Sequence, residues 1–96
     1  MTTPSLLDNL LAEREKTHGD FRDHAYLSQL LKYNMRESNM SVVDGWAKLS
    51  ACQKESLDMI AHKIARIISG NPHFKDHWDD IAGYATLISK QLNDPA

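Results

Sequence analysis

Residues 48–87, KLSACQKESLDMIAHKIARIISGNPHFKDHWDDIAGYATL, decide the fold of this chain. Apolar residues recur at helical spacing on both sides of Gly70-Asn71-Pro72. This pattern indicates two amphipathic helices with a break between them, because a proline disfavours helical geometry in the residue before it. Ser50 opens the first helix and Gln53 follows three residues later, as in a capping box. The apolar positions are Leu57, Ile60, Ala61, Ile64, Ile67 and Ile68, then Trp78, Ile81, Ala85, Ile88 and Leu92.

Two further helices precede this stretch. Thr3 and Pro4 suit the N-cap and first position of a helix, and Gly19 suits the left-handed residue that ends it. Asp20 can cap the next helix, whose apolar stripe contains His24, which we interpret as a core histidine. We predict helices over about 4–17, 21–38, 51–69 and 74–93, with an irregular segment over 39–49.

Four helices with short connections predict an all-α fold, a small antiparallel four-helix bundle. The 96 residues form one domain, 1–96. Apolar residues make up 42% of the chain but aromatic residues only 7%, so the core is mostly aliphatic and small. Because self-association adds burial to such a core, we expect a homodimer or a larger oligomer.

The composition excludes several classes of protein. The net charge is −2 and basic residues form no block, so nucleic acid is not expected as a partner. Cys52 is the single cysteine, which fits a reducing compartment. No apolar run reaches the length of a membrane span, and the N-terminus lacks the pattern of a secretory signal. We therefore expect a cytoplasmic protein without a membrane partner.

Four carboxylates in the 48–87 stretch could bind a divalent cation. Glu55 and Asp58 share a face of the third helix, and Asp76 and Asp80 lie one turn apart on the fourth. Carboxylates from two facing helices can hold Mg²⁺, which takes oxygen ligands. The alternative is a solvated face with ion pairs at helical spacing. Because the Glu55 face points away from the apolar stripe, a shared site requires the third helix to be sandwiched, most easily by a second subunit.

Basic and aromatic residues nearby could bind the phosphates and base of a nucleotide. Arg66 lies on the same face as Glu55, with Lys63 beside it, and both could neutralise phosphate. Tyr84 could stack on a base or pack in the core. The capping roles of its neighbours leave His18 unexplained, so it is also a candidate binding residue.

Asp80, Glu55 and His77 are the candidate catalytic residues. Asp80 lies at the border of an apolar stripe, where partial desolvation can tune a carboxylate for chemistry. His77 could be a ligand, a general base or a partner for Asp80. Each has a structural alternative: Asp80 as a buried acid that ties the bundle together, and His77 as a half-buried histidine bonded to a neighbouring helix.

Three segments carry a resemblance to known proteins: EREKTHGDF at 13–21, KESLDMIAHKIARIISGNP at 54–72 and DHWDDIAGYA at 76–85. In these segments the chain resembles a family of short, uncharacterised proteins of tailed phages and prophages, with a THGD…DHWxDIAGYA signature. The resemblance covers nearly the whole chain. It implies a phage-related protein of the host cytoplasm and no established activity.

More distantly, the chain resembles the MazG-like all-α nucleoside triphosphate pyrophosphohydrolases, which bind magnesium through an ExxE and an ExxD motif. Glu55-Ser-Leu-Asp58 looks like the first motif with a shortened second acid, and His77-Trp-Asp-Asp80 occupies the place of the second. Two departures are Lys54, where the family has a further acid, and His77, where it has glutamate. Asp76, one turn from Asp80, could replace that glutamate.

Two functions follow as hypotheses. The first is a phage-type MazG-like nucleotide pyrophosphohydrolase, or a degenerate relative that binds nucleotides without cleaving them. The second is a non-enzymatic phage protein that inhibits a host or defence protein. In the second case the segment 39–49 could present Met40, Val42, Val43 and Trp46 to a host partner.

Overall fold

The computed structural model describes residues 5–37 and 45–92, which form four α-helices and no strand. They are α1 (Leu6–His18), α2 (Phe21–Arg36), α3 (Ala51–Ser69) and α4 (Lys75–Leu92). The predicted all-α four-helix bundle is therefore confirmed, and each helix boundary lies within two residues of its predicted position. None of these helices combines the length and the apolar character needed to cross a membrane.

Capping residues set the starts of the helices. The predicted capping box of α3 is confirmed, since the Gln53 amide donates to Ser50 Oγ at 3.1 Å and the Ser50 amide donates to Gln53 Oε1 at 2.8 Å. The predicted cap Thr3 lies outside the described residues, and the N-cap of α1 is Ser5 instead. Ser5 and Asp8 form the same kind of box, because they too are three residues apart.

Helix α3 occupies the centre of the bundle. It packs against α2 on one side and α4 on the other, and α2 and α4 do not pack on each other. Both neighbours run antiparallel to it. On the α2 side Ser28 meets His62 and Arg36 meets Asp58. On the α4 side Lys63 meets Asp80, and the earlier Leu57 and Ile60 line a groove with the later Ala85 and Ile88. The chain thus sandwiches α3 by itself, without the second subunit that the sequence led us to expect for this purpose.

Two glycines allow the ends of α1 and α3 to touch backbone to backbone. Gly19 has φ 82° and ψ 178°, a conformation open essentially to glycine alone. A Cβ on Gly19 would overlap the carbonyl group of Ser69, and a Cβ on Gly70 would lie 2.5 Å from the carbonyl oxygen of Thr17. That oxygen accepts a hydrogen bond from the Asn71 amide at 3.1 Å.

The predicted roles of the two residues after His18 are also confirmed. Gly19 ends α1 with a positive φ, and its amide donates to the Glu15 carbonyl at 2.8 Å. Asp20 caps α2, because its Oδ1 accepts from the Arg22 amide at 2.7 Å. The chain therefore turns from one helix to the next over two residues, which holds α1 and α2 at a fixed corner.

Gly19 and Gly70 each lie at a corner between two helices, and we call them the two glycine corners. Their contact predicts opposite effects on stability for two glycine substitutions. Gly19→Ala combines a strained φ with a backbone collision, so we expect a loss of at least about 2 kcal/mol in the free energy of unfolding. Gly83 lies inside α4 and nothing lies within 4 Å of a Cβ built on it. Gly83→Ala should therefore stabilise the protein by about 0.5–1 kcal/mol.

Urea denaturation followed by circular dichroism measures both changes. Gly83→Ala serves as the matched control, since it makes the same chemical change at an open helical position. A Gly19→Ala protein as stable as the wild type would contradict the close approach of the two corners.

Candidate functional site

A cleft of about 700 Å³ opens at the end of the bundle where the two glycine corners meet. It lies between α1, α2 and α3, and its size is within the range of sites for small molecules. Basic and imidazole side chains dominate its polar lining: Arg14 and His18 from α1, His24 from α2 and Arg66 from α3. Phe21, the first residue of α2, contributes an exposed aromatic ring.

Arg66 is the central charge of this cleft. It lies in the last turn of α3 and is half-buried, and its Nε is buried without a hydrogen-bond partner. Among residues 5–37 and 45–92, no carboxylate lies within ion-pair distance of Arg66 or of Arg14. Burial lowers the pKa of Arg66 below its ordinary value, and the charge of Arg14 adds to this effect against the opposing influence of Asp80.

His24 faces the cleft with an unsatisfied nitrogen. The side chain is only 4% exposed, and its Nδ1 has no hydrogen-bond partner within the described part of the chain. Its ring is nearly perpendicular to that of Phe21, with 5.1 Å between the ring centroids. Burial lowers the pKa of His24, and Arg66 lowers it further, while Asp20 opposes the shift. His24 is buried, as interpreted from the sequence, but it is not a fully satisfied core residue.

The charge of Arg66 also contributes to the lowered pKa values of two more histidines, His18 and His62. Burial lowers the pKa of His18 to about 4, and the next cause is the charge of Arg66. Burial also lowers the pKa of His62 to about 4, again with Arg66 as the next cause. His62 Nδ1 shares a hydrogen bond of 3.3 Å with Ser28 Oγ between α3 and α2. At pH 7 both rings are therefore neutral, and Arg66 and Arg14 carry the positive charge.

Two carboxylates also line the cleft, but neither neutralises Arg66. Glu15 lies on the exposed part of α1 and makes no ion pair with a described residue. The Asp20 carboxylate already accepts a hydrogen bond from the Arg22 amide at the start of α2. The cleft thus contains a half-buried guanidinium and unsatisfied nitrogens that no described carboxylate pairs with.

The candidate catalytic residues His77 and Asp80 do not line the cleft and make structural contacts instead. His77 is 1% exposed, and its Nε2 donates to the Thr17 carbonyl at 3.0 Å. The centroid of its ring lies 4.7 Å from the centroid of the His18 ring. Asp80 Oδ2 accepts from Lys63 Nζ at 2.8 Å, and this hydrogen bond holds the pKa of Asp80 below its usual value. Lys63, a candidate phosphate ligand, is therefore already paired.

The four candidate magnesium ligands do not converge within one chain. Asp58 Oδ2 binds the Arg36 guanidinium at 2.6 Å on the α2 side of α3, whereas Asp80 lies on the α4 side. Glu55 and Asp76 are exposed. In the described ranges no three His, Cys, Asp or Glu side chains come close enough to hold a metal ion. The acids of a single chain thus do not fit Mg²⁺, and a site completed by a second copy stays a prediction.

The two remaining sets of candidates lie away from the cleft. Tyr84 is half-buried in a separate groove of α4, beside Asp79, Asp80 and Leu87. Trp46 is half-buried, with the Arg36 guanidinium 5.3 Å from the centre of its ring. Met40, Val42 and Val43 lie outside the described residues. Of the predicted nucleotide-binding residues, the structure brings only His18 and Arg66 together in one cleft.

Sequence reasoning missed Arg14 and gave His24 the wrong emphasis. Arg14 and His18 are four residues apart, so they share a face of α1, and this spacing was an available signal. The orphaned nitrogen of His24 had no signal, because hydrogen-bond satisfaction depends on residues distant in sequence.

Comparison with known protein families assigns the chain to a family. A family model described as a domain of unknown function, DUF6378, matches residues 7–92. The chain belongs to the DUF6378 family. Neither the curated proteins nor the solved structures contain a match. The matched residues include all those that line the cleft, from Leu11 to Arg66. The phage origin and the MazG resemblance stay predictions.

The lowered histidine pKa values predict acid sensitivity. The pKa values of His18 and His62 are about 4 in the folded protein, below the ordinary 6.5, so the unfolded chain binds protons first. The contribution of these two neutral histidines to the free energy of unfolding is fully present above about pH 6.5. It falls as the pH drops towards 4, by up to roughly 1.4 kcal/mol per pH unit for each histidine.

Urea unfolding at pH 7, 6 and 5 measures this slope. We expect a shallower slope for His62→Asn and an unchanged slope for His73→Asn, whose histidine is exposed. Equal slopes in wild type and His62→Asn would show that His62 is not buried as described.

Proposed function

We propose that this DUF6378 protein binds a nucleotide, with the phosphates held by Arg66 in the cleft between α1, α2 and α3. The observation that carries the proposal is the half-buried guanidinium of Arg66, which has a buried Nε without a partner and no carboxylate in ion-pair distance within the described residues. Leaving a charge partly desolvated and unpaired is costly, so an anion that fills the cleft would be bound favourably.

Phosphate suits the groups that surround Arg66. A guanidinium matches the geometry of phosphate oxygens with two parallel hydrogen bonds. Arg14 adds a second positive charge to the cleft, and His24 Nδ1 can donate in the appropriate tautomer. An anion would also raise the lowered pKa of His18, so that its ring could gain a proton on binding.

The rest of the cleft suits a nucleoside. Its volume of about 700 Å³ exceeds what a phosphate group alone requires. Phe21 is 76% exposed at the rim, where its ring offers a stacking surface for a base. The resemblance to nucleoside triphosphate pyrophosphohydrolases supports the same class of ligand.

We propose binding without hydrolysis, the degenerate form of the MazG-like hypothesis. Asp58 pairs with Arg36 and Asp80 pairs with Lys63, on opposite sides of α3. These two acids of one chain therefore do not form a shared magnesium site for hydrolysis. The alternative, an inhibitor of a host protein that acts through residues 39–49, stays a prediction. Its one described aromatic candidate, Trp46, is engaged by Arg36.

Isothermal titration calorimetry tests the proposal. Without Mg²⁺ at pH 7, we expect binding of inorganic pyrophosphate and of at least one ribonucleoside triphosphate, but not of the unphosphorylated nucleoside. Arg66→Gln should weaken both interactions by at least about tenfold, since it removes a charged hydrogen-bond donor. Phe21→Ala should weaken the nucleotide but not pyrophosphate.

Lys90→Gln is the matched control, because it removes the same charge from an exposed position in the last turn of α4. It should leave the affinity unchanged. If no phosphate compound binds, or if Arg66→Gln binds as tightly as the wild type, the proposal fails. An assay with Mg²⁺ addresses hydrolysis: pyrophosphate release that is lost in Asp80→Ala would restore the enzymatic form of the hypothesis.

A further inference from the structure

Helix α1 carries an apolar face that no other part of the chain within residues 5–37 and 45–92 covers. Leu6, Leu7, Leu10 and Leu11 form a stripe in which all four side chains are exposed, Leu6 by 88%. None of the 13 residues of α1 is buried. A helix of this length is marginal in water, and only its C-terminal end is held by α2 and α3, so a partner surface over the leucines would stabilise α1.

The exposed leucines form one apolar patch. Leu7, Leu10 and Leu11 are 63%, 46% and 54% exposed, and their spacing places them with Leu6 on one face of α1. An exposed apolar patch of this kind typically marks a contact with another protein surface.

A matching apolar groove lies on the same chain, between α3 and α4. It has a volume of about 290 Å³ and is lined largely by Leu57, Ile60, Ala85 and Ile88. The groove lies towards the N-terminal end of α3, whereas α1 joins the bundle at the C-terminal end, beside Ser69 and Gly70. The leucine stripe and the groove of one chain therefore do not meet.

We infer that a second copy of the chain covers both surfaces, with the leucine stripe of α1 of each copy seated in the α3–α4 groove of the other. Such reciprocal exchange closes on itself with two-fold symmetry and leaves no unpaired stripe or groove. Contact between two α1 stripes alone would leave both grooves open. The inference rests on apolar burial and does not depend on the proposed nucleotide.

Light scattering coupled to size-exclusion chromatography tests the assembly. The wild type should have twice the mass of one chain at micromolar concentration. Leu7→Asp/Leu11→Asp should weaken self-association by at least about a hundredfold, because it places charges in an apolar contact. Tyr26→Asp is the matched control, since Tyr26 is exposed on α2 and lies outside both surfaces. It should remain a dimer.

Cross-linking keeps the test decisive if the double variant does not fold. Cys52 is exposed and lies next to Gln53, which also lines the groove. A short bis-maleimide should link Leu7→Cys to Cys52 of the other copy, giving a covalent dimer that is lost in Leu7→Cys/Cys52→Ser. A dimer that survives in that double variant would mean that α1 pairs with α1 and would overturn the inference. So would a wild type that is monomeric at every concentration, or a Tyr26→Asp protein that dissociates.

Discussion

The backbone contact between Gly19 and Gly70 is the constraint on which the other features of this structure depend. It brings the last turn of α1 against the end of α3, where no side chain separates the two backbone segments. The Thr17 carbonyl then accepts hydrogen bonds from the Asn71 amide and from buried His77, so α4 is tied to the same point. Three helices, α1, α3 and α4, are thus positioned by one short stretch of backbone, and the cleft opens beside it between α1, α2 and α3.

The same corner also helps to accommodate the charge of Arg66 in the cleft. Helices α1 and α3 both end there, and the negative end of a helix dipole favours a cation such as Arg66 in the last turn. Each dipole supplies about 0.3–1 kcal/mol, and more only in favourable, partly buried geometries. The effective penalty for burying a charge is several kcal/mol. The dipoles therefore offset part of the cost of Arg66, and the remainder is what a bound anion would supply.

Local features of the fold were predictable, whereas long-range ones were not. The capping box at Ser50 and the positive φ at Gly19 follow from the chemistry of neighbouring residues, so the helices and their ends were predicted closely. Helical periodicity places Asp58 on a face but does not say which helix covers that face. The structure pairs Asp58 with α2 and Asp80 with α4, and this separation depends on the order of packing around α3.

The expectation of an oligomer survives as a proposal, but its physical basis has moved from α3 to α1. Both faces of α3 are covered within the chain, whereas the leucines of α1 are not. The residues Arg14 and His18 of the cleft lie on that same helix. Because α1 is marginal alone, a second copy that packs its leucines and a ligand that binds its last turns would stabilise one and the same element. Two events that order one element are thermodynamically linked, so each would raise the affinity of the other by the same factor.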